Sequence, residues 1–213
     1  MFLFSLTLKA EPLRVAFVYV GPVGEAGWSY SHDLGRQHLE QKFGGDVITS
    51  YVESVPEGRK ARKVLAQLAE ENDIIFATSW GYMVPMQRVA AQFPHVMFEH
   101  ATGMRRGDNL STYASRAYEA RYLSGMVAAS MTKTDKIGYV AAFPISEVIR
   151  GINAFTLGAQ AVNPNVKVMV AWTQAWYAPQ RAKQLSHQLI DQGADVLSQH
   201  TDTPAPVEVA QAR

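Results

Sequence analysis

One α/β unit is repeated along this chain. Residues 136–160 predict a buried strand followed by a helix whose apolar residues recur every three or four positions. A similar strand occurs 122 positions earlier, at residues 14–22, and the same offset relates residues 72–75 to residues 194–197. The repeat therefore predicts two similar α/β units in series, each with a parallel sheet that is covered by helices on both faces.

Composition narrows the possible functions. The chain has 213 residues, of which 47% are apolar, enough for one large or two small domains. The net charge of +1 argues against a dedicated nucleic-acid surface. Because the sequence has no Cys, it forms no disulfides, no thiolate metal site and no Cys nucleophile.

The predicted organisation has three parts. Residues 1–8 are mostly apolar and the segment then turns polar, but it lacks the basic start of a secretory signal, so we interpret residues 1–13 as a signal-peptide remnant or a disordered start. Lobe 1 is predicted at residues 14–115 and lobe 2 at residues 116–213. The offset of 122 places Arg213 opposite Ala91, inside a helix of the first repeat. Lobe 2 is therefore predicted to be incomplete, unless its missing strand comes from elsewhere.

A helix is predicted at residues 118–131, near the start of lobe 2. Its apolar spacing predicts an inward face, and its small residues predict a close approach to a neighbouring element. The predicted inward residues are Leu123, Met126 and Val127, and the predicted small contact residues are Gly125 and Ala128.

Aromatic residues concentrate in the loops that follow the predicted strands. These loops hold all four tryptophans, Trp28, Trp80, Trp172 and Trp176, together with Tyr82, Phe143 and Tyr177. Open parallel sheets bind ligands beyond the carboxyl ends of their strands, and aromatic rings there can stack on a flat ligand. For any single tryptophan the alternative is that it covers the edge of the sheet.

Polar side chains follow the same strands. They are Ser79, Glu99, His100, His200, Thr201 and Asp202. A His beside an acid invites a catalytic or metal interpretation, but no H-E-x-x-H, G-x-S-x-G or P-loop pattern occurs. We therefore expect these groups to hydrogen-bond a ligand or the loop backbone, with no catalytic residue, metal or cofactor. Arg121 is interpreted as a solvated charge on a helix surface.

Three segments are distinctive as a set: GEAGWSYSHDLGR at 24–36, DIIFATSWGYM at 73–83 and FPHVMFEHATG at 93–103. With them the chain resembles the basic membrane protein family of substrate-binding proteins, the purine-nucleoside receptors of bacterial ABC importers. The resemblance continues through residues 118–159 and through LIDQGADVLSQHTDTPAP at 189–206, and so covers nearly all of residues 14–213 in order.

The resemblance implies a two-lobed type I periplasmic-binding-protein fold that closes on a purine base or nucleoside between the lobes. It also implies an extracytoplasmic, monomeric protein with ABC permease subunits as its partners and with no cofactor. The implied ligand-binding residues are Trp28, Ser79, Trp80, Gly81 and Tyr82 in lobe 1, and Phe143, Trp172, Trp176 and Asp202 in lobe 2.

Two departures from the family and two rival functions remain. Members of the family continue beyond the point that corresponds to Arg213, so the chain is predicted to be C-terminally truncated. They also begin with a full signal peptide, which is the second departure. One rival is a nucleoside-cleaving enzyme on the same fold, which needs converging carboxylates or a metal. The other rival is a nucleoside sensor of the kind found in gene regulators.

Overall fold

A computed structural model describes residues 11–213. The predicted signal-peptide remnant or disordered start at residues 1–13 therefore lies mostly outside the described residues. Contacts divide the described chain into two compact units: unit 1 comprises residues 11–19 and 32–113, and unit 2 comprises residues 20–31 and 114–213. The sequence analysis counted residues 20–31 with lobe 1, whereas their contacts group them with unit 2.

Unit 1 contains a five-stranded parallel sheet. Its strands are β1 (Leu13–Val18), β2 (Val47–Val52), β3 (Ile74–Ala77), β4 (Met97–Ala101) and β5 (Leu110–Tyr113). They lie in the order β2-β1-β3-β4-β5, so that β2 and β5 are the edge strands. Helices α2 (Arg59–Ala69) and α3 (Met83–Ala90) pack against each other, α2 also against β3 and α3 against β4. Helix α1 (Trp28–Phe43) begins in the segment that groups with unit 2.

Ring contacts hold the middle of this sheet. Phe17 of β1 and Phe76 of β3 are directly paired across the two strands, and their rings stack with centroids 4.8 Å apart. Tyr113 of β5 meets the edge of the Phe76 ring at 6.1 Å. Cross-strand aromatic pairs stabilise a sheet beyond the burial of their area, so these rings help to fix the register of unit 1.

Unit 2 contains a three-stranded parallel sheet in the order β7-β6-β8. Its strands are β6 (Lys136–Ala141), β7 (Lys167–Trp172) and β8 (Val196–His200), and its helices are α4 (Ala117–Met131), α5 (Ser146–Val162), α6 (Pro179–Asp191) and α7 (Ala205–Gln211). One face of β6 contributes Tyr139 and Ala141 to a core with residues of α4 and α5. The opposite face contributes Val140 to a second core with residues of α6 and α7.

The repeat inferred from the sequence corresponds to matching topology. In each unit the first strand of the repeat is central and is flanked by the next strand and the one after it, β2-β1-β3 and β7-β6-β8. All of these strands pair in parallel. The prediction of an α/β fold with parallel sheets flanked by helices is confirmed.

Helices α4 and α5 cross with their backbones in contact. A Cβ atom at Gly125 would overlap the backbone carbonyl of Phe155, and one at Gly158 would overlap that of Tyr122. The predicted close approach at Gly125 and Ala128 is thus correct, and Ala128 is buried.

The predicted inward orientation of Leu123 and Val127 is wrong, because their exposed fractions are 61% and 59%. The face of α4 that packs on α5 is the face of its smallest residues, since only these permit the backbones to touch. The large apolar residues consequently point away from that contact.

Replacing Gly158 with Ala tests this contact. We expect Gly158→Ala to lower the free energy of unfolding by about 1–3 kcal/mol, because the added methyl group forces two backbones apart in a packed core. Gly35→Ala in α1 is the matched control, since a Cβ there meets nothing within 4 Å and Ala favours a helix. Chemical denaturation followed by circular dichroism measures both, and equal stability of the two variants would contradict the backbone contact.

Candidate functional site

A carboxylate is held at the carboxyl edge of the sheet in unit 1. Glu57 lies in the loop between β2 and α2, and its Oε1 accepts hydrogen bonds from the Ser79 hydroxyl at 2.6 Å and from the Gly81 backbone N–H at 3.2 Å. A Cβ at Gly81 would overlap Cδ of Glu57, so a larger residue here would displace the carboxylate. The predicted residues Ser79, Trp80 and Gly81 therefore form one turn with Glu57 bound to it.

The same loop anchors Tyr82. Its side chain is fully buried, and its hydroxyl donates to the carbonyl of Val55 at 2.6 Å. The Val55 backbone N–H in turn donates to the carbonyl of Tyr19, directly after β1. Tyr82 thus fastens the loop over the end of the central strand, and its predicted contact with a ligand stays a prediction.

His100 contacts the turn that contains Ser79. It is buried at the end of β4, and its Nε2 donates to the carbonyl of Ser79 at 2.7 Å. Burial lowers the pKa of His100, and the hydrogen bond to Ser79 opposes this only in part. The sequence analysis expected such histidines to bind a ligand or the loop backbone, and His100 does the latter.

Unit 2 presents an aromatic corner at the carboxyl edge of its sheet, formed by Phe143, Trp176 and His200. The Phe143 ring meets the Trp176 ring edge-on, with centroids 5.3 Å apart, and the His200 ring lies 6.4 Å from Trp176. All three side chains are partly exposed, as a wall for a ligand must be. Trp172, the last residue of β7, packs with Trp176 against the core between the sheet and helices α4 and α5.

Asp202 holds the loop of residues 20–31. Its carboxylate is buried and accepts hydrogen bonds from the backbone N–H groups of Trp28, at 2.5 Å, and Ser29, at 3.3 Å. The Ser29 hydroxyl donates to the second carboxylate oxygen at 2.7 Å. Asp202 therefore completes the first turn of α1, where unpaired N–H groups favour an anion. Its predicted ligand contact stays a prediction.

Two polar side chains at these edges, Glu57 and Arg121, were not predicted as site residues from the sequence. Glu57 follows β2 by five residues, and its partners Ser79 and Gly81 follow a different strand, so no local pattern marks it. The interpretation of Arg121 as a solvated charge is wrong: its guanidinium is half-buried and donates to the carbonyl of Gln199 at 2.8 Å. Arg121 lies four residues before Gly125 and so shares a helix face with this predicted contact residue, and that spacing was the available signal.

Comparison with known proteins shows the family. A family model described as ABC transporter substrate-binding protein PnrA-like, Bmp, matches residues 13–212. The chain belongs to this family. Among residues 11–213, no helix has the length and apolar character to cross a membrane. The same residues contain no group of three or more His, Asp or Glu side chains that is placed to hold a metal ion.

Curated relatives carry two different ligand names. A purine-binding protein of Brucella abortus is 46% identical over 95% of this chain and 58% of its own length. A putative ABC transporter glucose-binding protein of Haloferax volcanii is 43% identical over 95% of this chain and 51% of its own length. The chain thus spans little more than half the length of either relative.

Solved structures show the same fold. An ABC transporter solute-binding protein of Aeropyrum pernix matches 94% of this chain and 59% of its own with a TM-score of 0.82 and 22% identity. A transcriptional activator of the comK gene from Bacillus halodurans matches 93% of this chain and 67% of its own with a TM-score of 0.71 and 26% identity. The predicted membership of the family and the predicted fold class are both confirmed.

We expect Asp202→Asn to lower the free energy of unfolding by about 1–3 kcal/mol. An amide places an N–H₂ group against backbone and hydroxyl donors, so that at least one buried donor loses its acceptor. Asp108→Asn, at an exposed loop position, is the control. Denaturant unfolding measures both variants, and an Asp202→Asn variant as stable as its control would show that the carboxylate does not hold the loop.

Acid should destabilise the fold through His200. Burial, reinforced by the Arg121 cation, lowers the pKa of His200 to about 4 from its ordinary value of 6.5. Between these two pKa values the unfolded chain binds a proton at His200 that the folded chain does not bind. The contribution of the neutral His200 to stability is therefore fully present above pH 6.5 and is lost as the pH falls towards 4. We expect the thermal midpoint of the parent chain to fall more steeply between pH 7 and pH 4.5 than that of His200→Gln, in which position 200 does not titrate. Parallel pH profiles would contradict the buried neutral imidazole.

Proposed function

We propose that this chain is the substrate-binding component of an ABC importer and that its ligand is a purine base or nucleoside. The observation that carries the proposal is the corner of Phe143, Trp176 and His200, at the edge of a parallel sheet where ligands bind. Membership of the family and the purine-binding relative in Brucella abortus support it.

The corner suits a planar heterocycle. A ring of the ligand stacks on the Trp176 indole, and such stacking contributes about 1–3 kcal/mol per base. Phe143 meets Trp176 edge-on, and this contact helps to fix the orientation of the indole ring. Because the lowered pKa of His200 keeps its imidazole neutral at pH 7, this ring offers a hydrogen bond without placing a cation against the base.

Membership of the family supports a proposal for the partners and the compartment. We propose that the whole protein acts outside the cytoplasm as a monomer, and that it delivers its ligand to the membrane subunits of an importer. The ligand must then favour the conformation that the permease recognises, because a ligand shifts a conformational equilibrium only through its different affinities for the two states. No nucleic acid takes part.

A second candidate ligand is a hexose. The relative in Haloferax volcanii, named as a putative glucose-binding protein, is nearly as similar as the purine-binding one. An indole face also packs against the apolar face of a sugar ring. What separates the two ligands is the hydrogen-bonding edge: a purine offers ring nitrogens, whereas glucose offers only oxygens.

The enzyme and sensor alternatives concern what happens after binding. A nucleoside-cleaving enzyme would release a free base and a sugar when incubated with inosine, and chromatography detects both products. A sensor would bind the same ligands in a cytosolic context, and the location of the whole protein in the cell distinguishes it from a transport component.

Calorimetric titration of adenine, hypoxanthine, adenosine, inosine and glucose into this chain tests the proposal. We expect at least one purine to bind with micromolar or tighter affinity, equivalent to about 8 kcal/mol, and glucose to give no heat. Trp176→Leu should weaken purine binding about tenfold, because Leu fills the apolar space but cannot stack. Trp176→Phe should retain most of the affinity.

Leu157→Ala is the control for the Trp176 variants, because Leu157 is exposed on α5 of the same unit. Binding of glucose alone would replace the proposal with the second candidate. Purine binding that is unchanged in Trp176→Leu would show that the corner is not the site.

A further inference from the structure

Three polar side chains lie close together near Trp176, and we call the space beside them the Arg121–Tyr139–His200 pocket. Arg121 lies near the start of α4, and α4 ends close to the amino end of β6, so Arg121 lies towards the carboxyl edge of the sheet. His200 is the last residue of β8. Tyr139 and Ala141 point to the same face of β6, and the register pairs Ala141 with His200, so Tyr139 and His200 share that face.

Tyr139 is unusual among the buried tyrosines. It is 0% exposed, its ring meets Phe155 edge-on at 5.3 Å, and its hydroxyl has no hydrogen-bond partner among the described residues. The hydroxyl of the equally buried Tyr82 donates to a carbonyl. A buried hydroxyl without a partner is costly, and Phe would pack in its place without that cost. The hydroxyl of Tyr139 therefore points to a partner that residues 11–213 do not supply.

His200 offers a second buried atom of this kind. Its Nδ1 is shielded from solvent and has no hydrogen-bond partner in the described part of the chain, although the residue as a whole is partly exposed. The imidazole of His200 therefore contacts Trp176 in the aromatic corner and also reaches the Arg121–Tyr139–His200 pocket. A neutral imidazole carries one donor and one acceptor nitrogen, so His200 can hydrogen-bond in both directions.

Arg121 gives the pocket its charge. The guanidinium carbon lies 6.0 Å above the Tyr139 ring, and one nitrogen donates to the carbonyl of Gln199. Arg121 forms no ion pair within residues 11–213. A guanidinium has five N–H donors and no acceptor, so together with a phenol it favours a ligand atom that accepts hydrogen bonds.

Gly151 leaves space beside these groups. A Cβ at Gly151 of α5 would lie 3.6 Å from His200 Nδ1 and 3.9 Å from Arg121 Cγ, both ordinary contacts. An added methyl group would thus narrow the pocket without a collision. This differs from Gly125 and Gly158, where the added atom would overlap a backbone.

We propose that the Arg121–Tyr139–His200 pocket is a subsite that receives an oxygen atom of the ligand. This rests on the proposed function, since it assigns the part of a purine ligand that enters below the stacked ring. The oxygen accepts hydrogen bonds from Arg121 and Tyr139, and His200 forms a hydrogen bond with the part of the ligand next to that oxygen. Two ligand groups have this chemistry: the ring carbonyl of an oxopurine and a hydroxyl of ribose.

Tyr139→Phe and Gly151→Ala test the subsite. The first removes only the unpartnered hydroxyl, and the second fills the space with a residue that favours a helix. Both variants should therefore keep or raise the thermal midpoint of the parent chain. Both should nevertheless bind an oxygen-bearing purine about tenfold more weakly. The probes are adenine, which has no oxygen, hypoxanthine, which has the ring carbonyl, and adenosine, which has only the ribose oxygens.

Two controls separate stability from binding. Gly35→Ala should raise the thermal midpoint and leave every affinity unchanged, because nothing surrounds its added Cβ. Tyr82→Phe should lower the midpoint, because it removes a satisfied hydroxyl and leaves the Val55 carbonyl without its donor. If Tyr139→Phe lowers the midpoint as much as Tyr82→Phe does, the Tyr139 hydroxyl serves the fold and the inference is wrong.

The pattern of affinities decides the rest. A loss for hypoxanthine alone assigns the ring carbonyl to the pocket, and a loss for adenosine alone assigns the ribose. An equal loss for adenine, or no loss for any probe, overturns the subsite while leaving the proposed function intact. If the parent chain binds none of the three probes, the proposed function fails and the inference fails with it.

Discussion

The contact between the backbones of α4 and α5 is the constraint on which unit 2 depends. Gly125 and Gly158 allow the two helices to touch, and no larger residue fits at either position. This close crossing brings both helices over the same face of β6, where they cover Tyr139 and Ala141. Since α5 starts directly after the carboxyl end of β6, its second turn, with Gly151, lies near the edge where His200 ends β8. The packing of small residues thereby positions the polar groups of the proposed subsite.

The same contact explains where the sequence misleads. Helix α4 carries large apolar residues on the side away from α5, so its apolar periodicity indicates the wrong inward face. The two parallel sheets, in contrast, followed from a repeat that relates separate segments of the chain at one constant offset. A repeat compares two independent stretches, each of which must bury its own sheet. The orientation of one helix rests on a handful of side chains, and here packing by glycine and alanine overrides their hydrophobicity.

The candidate site was predictable to a similar degree. The rule that ligands bind at the carboxyl ends of parallel strands identified the loops that carry Phe143 and Trp176. The rule does not say how the loops bond to one another. Asp202 bonds to Trp28 and Ser29, more than 170 positions away, and Glu57 bonds to the turn after another strand. Such pairs depend on loop geometry, which no periodicity records. Tyr139 is hidden for a different reason, because a Tyr inside an apolar strand looks like any other core residue.

The polar pocket also bears on whether the ligand is a purine or a sugar. Stacking on an indole favours flat rings but rejects few of them, so the aromatic corner alone gives affinity with little selectivity. Selectivity arises when buried polar groups are satisfied by one ligand and left unpaired by another, because the unpaired state is costly. Arg121 and Tyr139 set that requirement with donors, and a neutral His200 adds one acceptor that a cation would lack. A base with a carbonyl beside a ring N–H satisfies both kinds of group at once. A hexose reaches the same donors with its hydroxyls, and its apolar face can pack on an indole, but its ring is puckered and covers less of an indole than a flat purine does. On this argument the purine is favoured.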